Sequence, residues 1–309
     1  MQTPLQPGSS PIARDHGFQK WWQLARPHTL TAAFAPVLLG TALAIEITSI
    51  DIFLFLATLL ACLIIQAATN MFNEYYDFKR GLDTEESIGI GGAIVRNGIK
   101  PATVLGLALG LYGIAILIGI YICMNTTWWL AAIGLVGMLI GYLYTGGPLP
   151  IAYTPFGEIF AGFFMGLLII LISFYIQTGS VTTTSILVSI PSFILVGGIL
   201  LSNNIRDFDG DKEFGRKTLA ILVGKKNAVR VLAGMFIVSY AWIFALILTG
   251  VSTPWLAVVV LSIPKALTAV KVFKTGKNPL EMMPAMKATA QTNTFFALLL
   301  SVGLFISYI

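Results

Sequence analysis

Two stretches of this sequence set carboxamides and carboxylates at helical spacing. Asn73 and Asp77 stand four residues apart, and so do Asn203, Asp207 and Asp211. That interval puts side chains on one face of an α-helix. Gly81 is expected to end the first helix, so that Asp83 can fold back toward Asp77. Basic residues follow each stretch, Arg96 and Lys100 after the first, Arg216 and Lys217 after the second. Both stretches directly follow long apolar runs, and carboxylates at membrane depth are costly unless they are paired or functional. Acidic faces turned toward one another repel unless a cation lies between them. Mg²⁺ prefers oxygen ligands and binds through one or two carboxylates together with substrate phosphates. Asp77, Asp207 and Asp211, with Asp83 as a loop-dependent fourth, therefore suit Mg²⁺ ions bridging a diphosphate. Glu85, Glu86, Glu213 and Glu281 read as ordinary solvated charges, and Asp209, on the opposite face, as a bystander.

The elements that must position these residues are membrane helices. The chain of 309 residues is 56% hydrophobic and 11% charged, with mean hydropathy +0.84. A soluble domain usually carries about 25% charged residues, so most of this surface is expected to face lipid. Crossing the hydrocarbon core takes about 20 apolar residues. Nine segments qualify, some narrowly: 29–45, 52–71, 102–123, 128–144, 158–177, 186–201, 228–248, 255–272 and 290–308. Residues 1–27 read as a polar tail with an interfacial segment around Phe18, Trp21 and Trp22, and 28–309 as a single transmembrane domain. No cleavable signal is expected in the tail. Cys62 and Cys123 lie inside apolar runs and read as small core residues. His16 and His28 do not make a metal-ligand pair.

Charge distribution predicts orientation. The 19 Lys and Arg residues fall in the tail, after the second segment, from the end of the sixth to the start of the seventh, and in or after the eighth. Nine spans place all of them on one side, and positive charge stays in the cytoplasm. The N-terminus is therefore expected inside a bacterial cytoplasmic membrane and the C-terminus outside.

Several motifs, in joint order and spacing, resemble the UbiA-type intramembrane prenyltransferases, and within them the menaquinone branch. They are Arg26-Pro27-His28-Thr29-Leu30 with Ala35 to Gly40, Asn73 to Asp83, Gly91-Gly92 with Arg96-Asn97-Gly98, Tyr142 to Pro148, Asn203 to Gly224, and Lys287-Ala288-Thr289-Ala290. The resemblance implies an all-α bundle of nine helices around a central cavity open to the cytoplasm and to lipid. It implies Asn73, Asp77, Asp207 and Asp211 as Mg²⁺–diphosphate residues, a polyprenyl diphosphate donor and 1,4-dihydroxy-2-naphthoate as acceptor, with loss of CO₂. Membrane lipid surrounds such a protein, and no nucleic-acid partner is expected. Two departures stand out. Many relatives have Asp where this chain has Glu74, and the Tyr/Lys pair of the hydroxybenzoate branch is replaced by Tyr142 and Tyr144 followed by Gly146 and Gly147.

Around that frame, Lys79, Arg80, Arg206 and Lys212 are candidates for neutralising the diphosphate, together with Asn203 on the second face. Arg26 and Lys265 are candidates for the aromatic carboxylate, and Tyr142 and Tyr144 for lining the cavity. An ion-coupled transporter is the rival from another class, but its charges would gather near the midplane in broken helices. A CDP-alcohol phosphotransferase is set aside because the Asp-Gly-x-x-Ala-Arg start of its motif is absent.

Overall fold

Residues 17–83 and 92–309 are described by a computed structural model of the chain. The tail over 1–15, His16, Glu85, Glu86 and Gly91 lie outside the described residues. Every described element is helical. The order is α1 (Gln19–Leu24), α2 (Thr31–Ala44), α3 (Ile52–Lys79), α4 (Pro101–Asn125), α5 (Trp129–Thr145) and α6 (Gly157–Thr178). Then come α7 (Thr183–Arg206), α8 (Phe208–Glu213), α9 (Leu219–Val223), α10 (Lys225–Leu248), α11 (Pro254–Thr275) and α12 (Pro279–Tyr308). Seven helices among the described residues are long and apolar enough to cross a membrane. The other two predicted spans correspond to the shorter apolar helices α2 and α5.

Local chemistry sets the helix starts. The Asp51 carboxylate caps α3, accepting from Phe53 N at 2.9 Å and Leu54 N at 3.0 Å. Thr182 and Ser185 form a reciprocal capping box at the start of α7, and Asn278 caps α12 through Glu281 N at 3.0 Å. Each satisfies backbone donors that have no partner within their own helix. The helices are longer than the apolar runs. α3 continues past Met71 to Lys79, α7 past Leu201 to Arg206, and α12 starts at Pro279 rather than Ala290. Hydropathy marks only the part in hydrocarbon, whereas polar residues extend the same i to i−4 ladder beyond it. The charged link after α7 is itself folded into α8 and α9.

α12 packs on α2, α7 and α11, so the last helix closes against the first long apolar one. The main core runs through Leu39, Ile170, Leu195, Leu232, Leu256 and Phe296. Leu117, Ile237 and Leu267 point outward, where lipid would cover them. Gly162 and Gly166 let α6 touch α7 backbone to backbone. A Cβ at Gly162 would lie 2.3 Å from Phe193 O, and one at Gly166 2.4 Å from Ser192 O. The same stretch, Gly162–Leu168, relaxes into π-helix. α6 thereby presents its first turn, with Glu158, against the charged end of α7.

Candidate active site

Asp77 lies in the last turns of α3, and Asp211 in α8, and the fold brings them to one guanidinium. Arg216 reaches Asp211 Oδ1 at 3.0 Å and Asp77 Oδ1 at 3.4 Å. Its plane lies over the Tyr153 ring, 4.9 Å from the centroid, a favourable cation–π arrangement. The loop carrying Arg216 is fixed by Lys217 N donating to Tyr153 O at 2.9 Å and Arg216 N to Asp211 O at 3.0 Å. The two acidic stretches, far apart in sequence, thus face each other across a shared cation.

The backbone turns before Asp83. α3 ends at Lys79 with Arg80 as its C-cap, Gly81 takes φ +71°, and Leu82 N bonds Asp77 O at 2.9 Å. Burial pushes the Asp83 carboxyl up to about 6, and the charges of Asp77 and Glu74 push the same way. Asp211 is likewise pushed up to about 6 by burial, against the pull of Arg216, with Asp207 and Asp77 adding repulsion. Burial disfavours the Arg216 cation, but Asp211 and Asp77 outweigh it and raise its pKa. The Asp211 Oδ2 atom is buried without a hydrogen-bond partner.

The second stretch departs from the expected continuous face. α7 stops at Arg206, and Asp207 forms the junction to α8. The backbone keeps turning, because Asp207 N bonds Asn203 O and Asp211 N bonds Asp207 O. Arg206 grips Asp207 with both arms, Nε to Oδ1 at 2.6 Å and Nη2 to Oδ2 at 2.5 Å. Asp207 is also the more open of the two, 35% exposed at its side chain against 9% for Asp211. Arg206 therefore serves a carboxylate in this structure. Asp209 is exposed and pairs with Lys225 at 3.6 Å.

Glu74 holds the first stretch in place. Only 2% exposed, it accepts from Arg26 Nη2 at 3.2 Å and from the Gly92 and Ile94 backbone N–H groups at 2.8 and 3.2 Å. Both oxygens are engaged, so Glu74 ties α3 to the loop after it and to the chain before α2. Arg26 has φ 51°, a left-handed conformation costing a non-glycine residue about 1–2 kcal/mol; the buried pair offsets that cost. Glu74→Ala is expected to destabilise the fold by about 3 kcal/mol, because Arg26 is left uncompensated and two amides lose their acceptor. Thermal unfolding in detergent checks this.

The remaining candidates divide. Asn73 Oδ1 accepts from Thr145 Oγ1 at 2.7 Å, which docks the end of α5 on the acidic stripe. Tyr142 and Tyr76 share a hydrogen bond of 2.7 Å. Tyr144 is half-buried near the end of α5, and a Cβ at Gly157 would lie 3.9 Å from its hydroxyl. Arg80 is held by the Thr145 and Gly147 carbonyls and stacks on Tyr76 and Tyr153, so it caps the negative end of α5. Asn203 is half-buried at the end of α7. Lys79 is exposed over the Tyr75 ring, and Lys212 is exposed on α8. Lys265 is half-buried in α11, with no ion pair joining it to the acidic cluster.

Among the described residues, no group of three or more His, Cys, Asp or Glu side chains converges closely enough to hold a metal by itself. The donors fit Mg²⁺ nonetheless. They are hard oxygens, their charges are crowded, Asp211 Oδ2 lacks a partner, and Mg²⁺ takes only one or two carboxylates when phosphates complete its shell. Two pockets of about 450 and 560 Å³ lie elsewhere, one lined by Glu46, Thr182 and Ser252, the other by Leu38, Ile52 and Phe305.

Three residues escaped sequence reading. Arg216 is marked by the sequence only as a basic residue following the motif, since its bond to Asp77 spans 139 positions. Tyr153 sits between helices with no periodic signal. Glu158 marks only the boundary of the apolar run 158–177 in the sequence, and the lone carboxylate there is the one signal it offers.

The described residues make a helical membrane bundle with an oxygen-rich, Arg-bridged acidic site at one end, the architecture of an intramembrane enzyme. Residues 33–299 match the UbiA prenyltransferase family, and the chain belongs to that family. It is 62% identical to a 1,4-dihydroxy-2-naphthoate octaprenyltransferase of Bacillus subtilis (strain 168), over 99% of both chains. It is 28% identical to a protein of the same description from Mycobacterium tuberculosis, covering 91% of this chain and 95% of the relative. A UbiA homolog from Archaeoglobus fulgidus, solved bound to GPP and Mg²⁺, superposes with TM-score 0.65 over 91% of this chain and 99% of its own, at 16% identity.

Proposed function

We propose that this chain transfers a polyprenyl group from its diphosphate to 1,4-dihydroxy-2-naphthoate, releasing diphosphate and CO₂. The observation that carries the reading is the 62% identity, over 99% of both chains, to a relative of that description. The site's chemistry supports it, because crowded carboxylates beside buried cations suit a polyphosphate held by divalent metal. Asp77, Asp83, Asp207 and Asp211 would hold Mg²⁺, which when bound stabilises negative charge growing on the leaving diphosphate. Residues 28–309 form one catalytic domain, with the N-terminus and the acidic site on the cytoplasmic side.

The chain's own residues divide the remaining work. Arg216 brings positive charge beside the carboxylates, so a diphosphate meets a balanced surface rather than a repulsive one. Asn73 and Asn203 offer amide groups next to the acidic stripes. Lys79 and Lys212, exposed at the rim, draw the anionic head of the donor inward. Apolar helix faces receive its tail and keep water from the cationic allylic carbon.

The test is direct. Purified protein in detergent is given labelled polyprenyl diphosphate and dihydroxynaphthoate, with Mg²⁺ or with EDTA. Prenylated naphthalenediol is expected only with Mg²⁺. Unaltered substrates in both reactions overturn the reading.

A further inference from the structure

The end of the bundle opposite the acidic site holds a cavity of about 450 Å³. α7 joins the two places. Its last residue precedes Asp207, while Thr182, Thr184 and Ser185 at its start line the cavity. A helix of 24 residues puts about 36 Å between them, the thickness of a membrane. Segments from across the chain meet there. Glu46 and Ile47 lie just past the end of α2, Ser307 lies near the end of α12, and Ser252 and Thr253 lie just before α11.

The lining sets hydroxyls around one carboxylate. Thr182 Oγ1 accepts from Ser185 N at 3.1 Å, and Thr253 Oγ1 from Trp255 N at 3.4 Å, so these two cap helices. The side chains of Glu46, Thr184, Ser252 and Ser307 make no hydrogen bond or ion pair among the described residues, and no Lys, Arg or His is in the lining. Helix ends add partial charges. The Thr183 and Thr184 amides have no carbonyl partner within α7, and the starts of α7 and α11 carry partial positive charge that suits a phosphate. The ends of α2 and α12 carry partial negative charge, which with Glu46 suits a cation. A ligand bearing both charges matches this arrangement. Ca²⁺ would seek about six to eight oxygens, commonly from several carboxylates, and Glu46 is the one carboxylate in the lining. A primary ammonium offers several N–H donors to carboxylate and hydroxyl acceptors. A quaternary ammonium offers none and favours a cage of aromatic faces, whereas Phe174 is the one aromatic residue in the lining. Ile47 and Val251 line the same cavity and are exposed, so acyl chains can lie against its rim.

We propose that this cavity binds the headgroup of a zwitterionic phospholipid with a primary ammonium, the ammonium on Glu46 and the phosphate at the start of α7. The hydroxyls of Thr184, Ser252 and Ser307 complete its hydrogen bonds. A lipid seated there ties together the ends of α2, α7, α11 and α12 in the leaflet opposite the acidic site.

The experiment uses the full chain in detergent, stripped of co-purified lipid. It is titrated with phosphatidylethanolamine, phosphatidylcholine or phosphatidylglycerol of matched acyl chains, and binding is read by native mass spectrometry and by melting temperature. Phosphatidylethanolamine is expected to bind about tenfold more tightly than either of the others, the scale of one hydrogen bond to a charged group. E46Q keeps the side chain's size and removes its charge, and is expected to bring phosphatidylethanolamine down to the affinity of phosphatidylcholine. T184V is expected to weaken both of those lipids by a similar factor, about threefold for one neutral hydrogen bond, because both carry the phosphate. Equal binding of the three lipids by wild type overturns the proposal without recourse to a variant, and so does a preference for phosphatidylethanolamine that survives E46Q. A rise in melting temperature with calcium chloride alone, lost in E46Q, assigns the cavity to a metal ion and likewise overturns it. Prenyl transfer is not the readout, so failure of that reading leaves this test intact.

Discussion

Asp77→Asn and Asp211→Asn are each expected to cut prenyl transfer by about 1,000-fold, the upper range for removing one group from a preorganised charge site, while folded protein is retained. Both carboxylates are aimed at the same guanidinium, at 3.4 and 3.0 Å, and both lie where donor phosphate and metal would meet. The amide keeps the shape and removes the charge. Arg216 retains its other partner, so neither change leaves the cation stranded. Asp207→Asn is expected to cost less. Asp207 is already neutralised by a two-armed contact with Arg206 and is the more open side chain. Rates measured at several Mg²⁺ concentrations check the order: the Asp77 and Asp211 variants should need more Mg²⁺ for their residual activity than the Asp207 variant. Wild-type turnover in either of the first two removes that residue from the metal site.

The ranking shows where sequence and structure part. Spacing alone put Asn73 and Asp77 on one helix face, and Gly81 at its end, because both follow from backbone geometry within a few residues. The apolar runs announced helices for the same reason. What spacing treated as equivalent, Asp207 and Asp211, the fold separates. A junction at Asp207 turns one carboxylate toward Arg206 and leaves the other buried beside Arg216, and helical periodicity has no term for such a break. Glu74 illustrates a different limit. It sits within the acidic stretch and looks like one more ligand, yet its oxygens serve Arg26 and the amides of Gly92 and Ile94. Those partners come from segments on both sides of α3, so only tertiary packing reveals that this carboxylate is structural. Glu158 shows the same limit, because a single charge at the edge of an apolar run is usually an interfacial anchor. Its one hydrogen-bond donor among the described side chains, Asn204, lies 46 residues away.

Arg216 gives the second large effect. Arg216→Met keeps an unbranched apolar stem and removes the shared cation, and turnover is expected to fall roughly 100-fold or more. Asp77 and Asp211 then face each other with no positive charge between them. In the resting protein they must take up protons or a metal ion to remain together. Mg²⁺ is therefore expected to raise the melting temperature of Arg216→Met by more than it raises that of wild type, since ligand binding stabilises most where the empty site is least content. Arg216→Lys is expected to recover only part of the activity. A lysine supplies the charge, but as a point source. It does not span two carboxylates from different helices while stacking its plane on Tyr153. The pattern separates charge from geometry: a lysine variant equal to wild type would mean that charge alone suffices, and a methionine variant equal to wild type would mean that the acidic stripes do not depend on a common cation at all. Between those limits, the lysine rate measures how much of the site's work lies in holding α3 and α8 at one fixed separation.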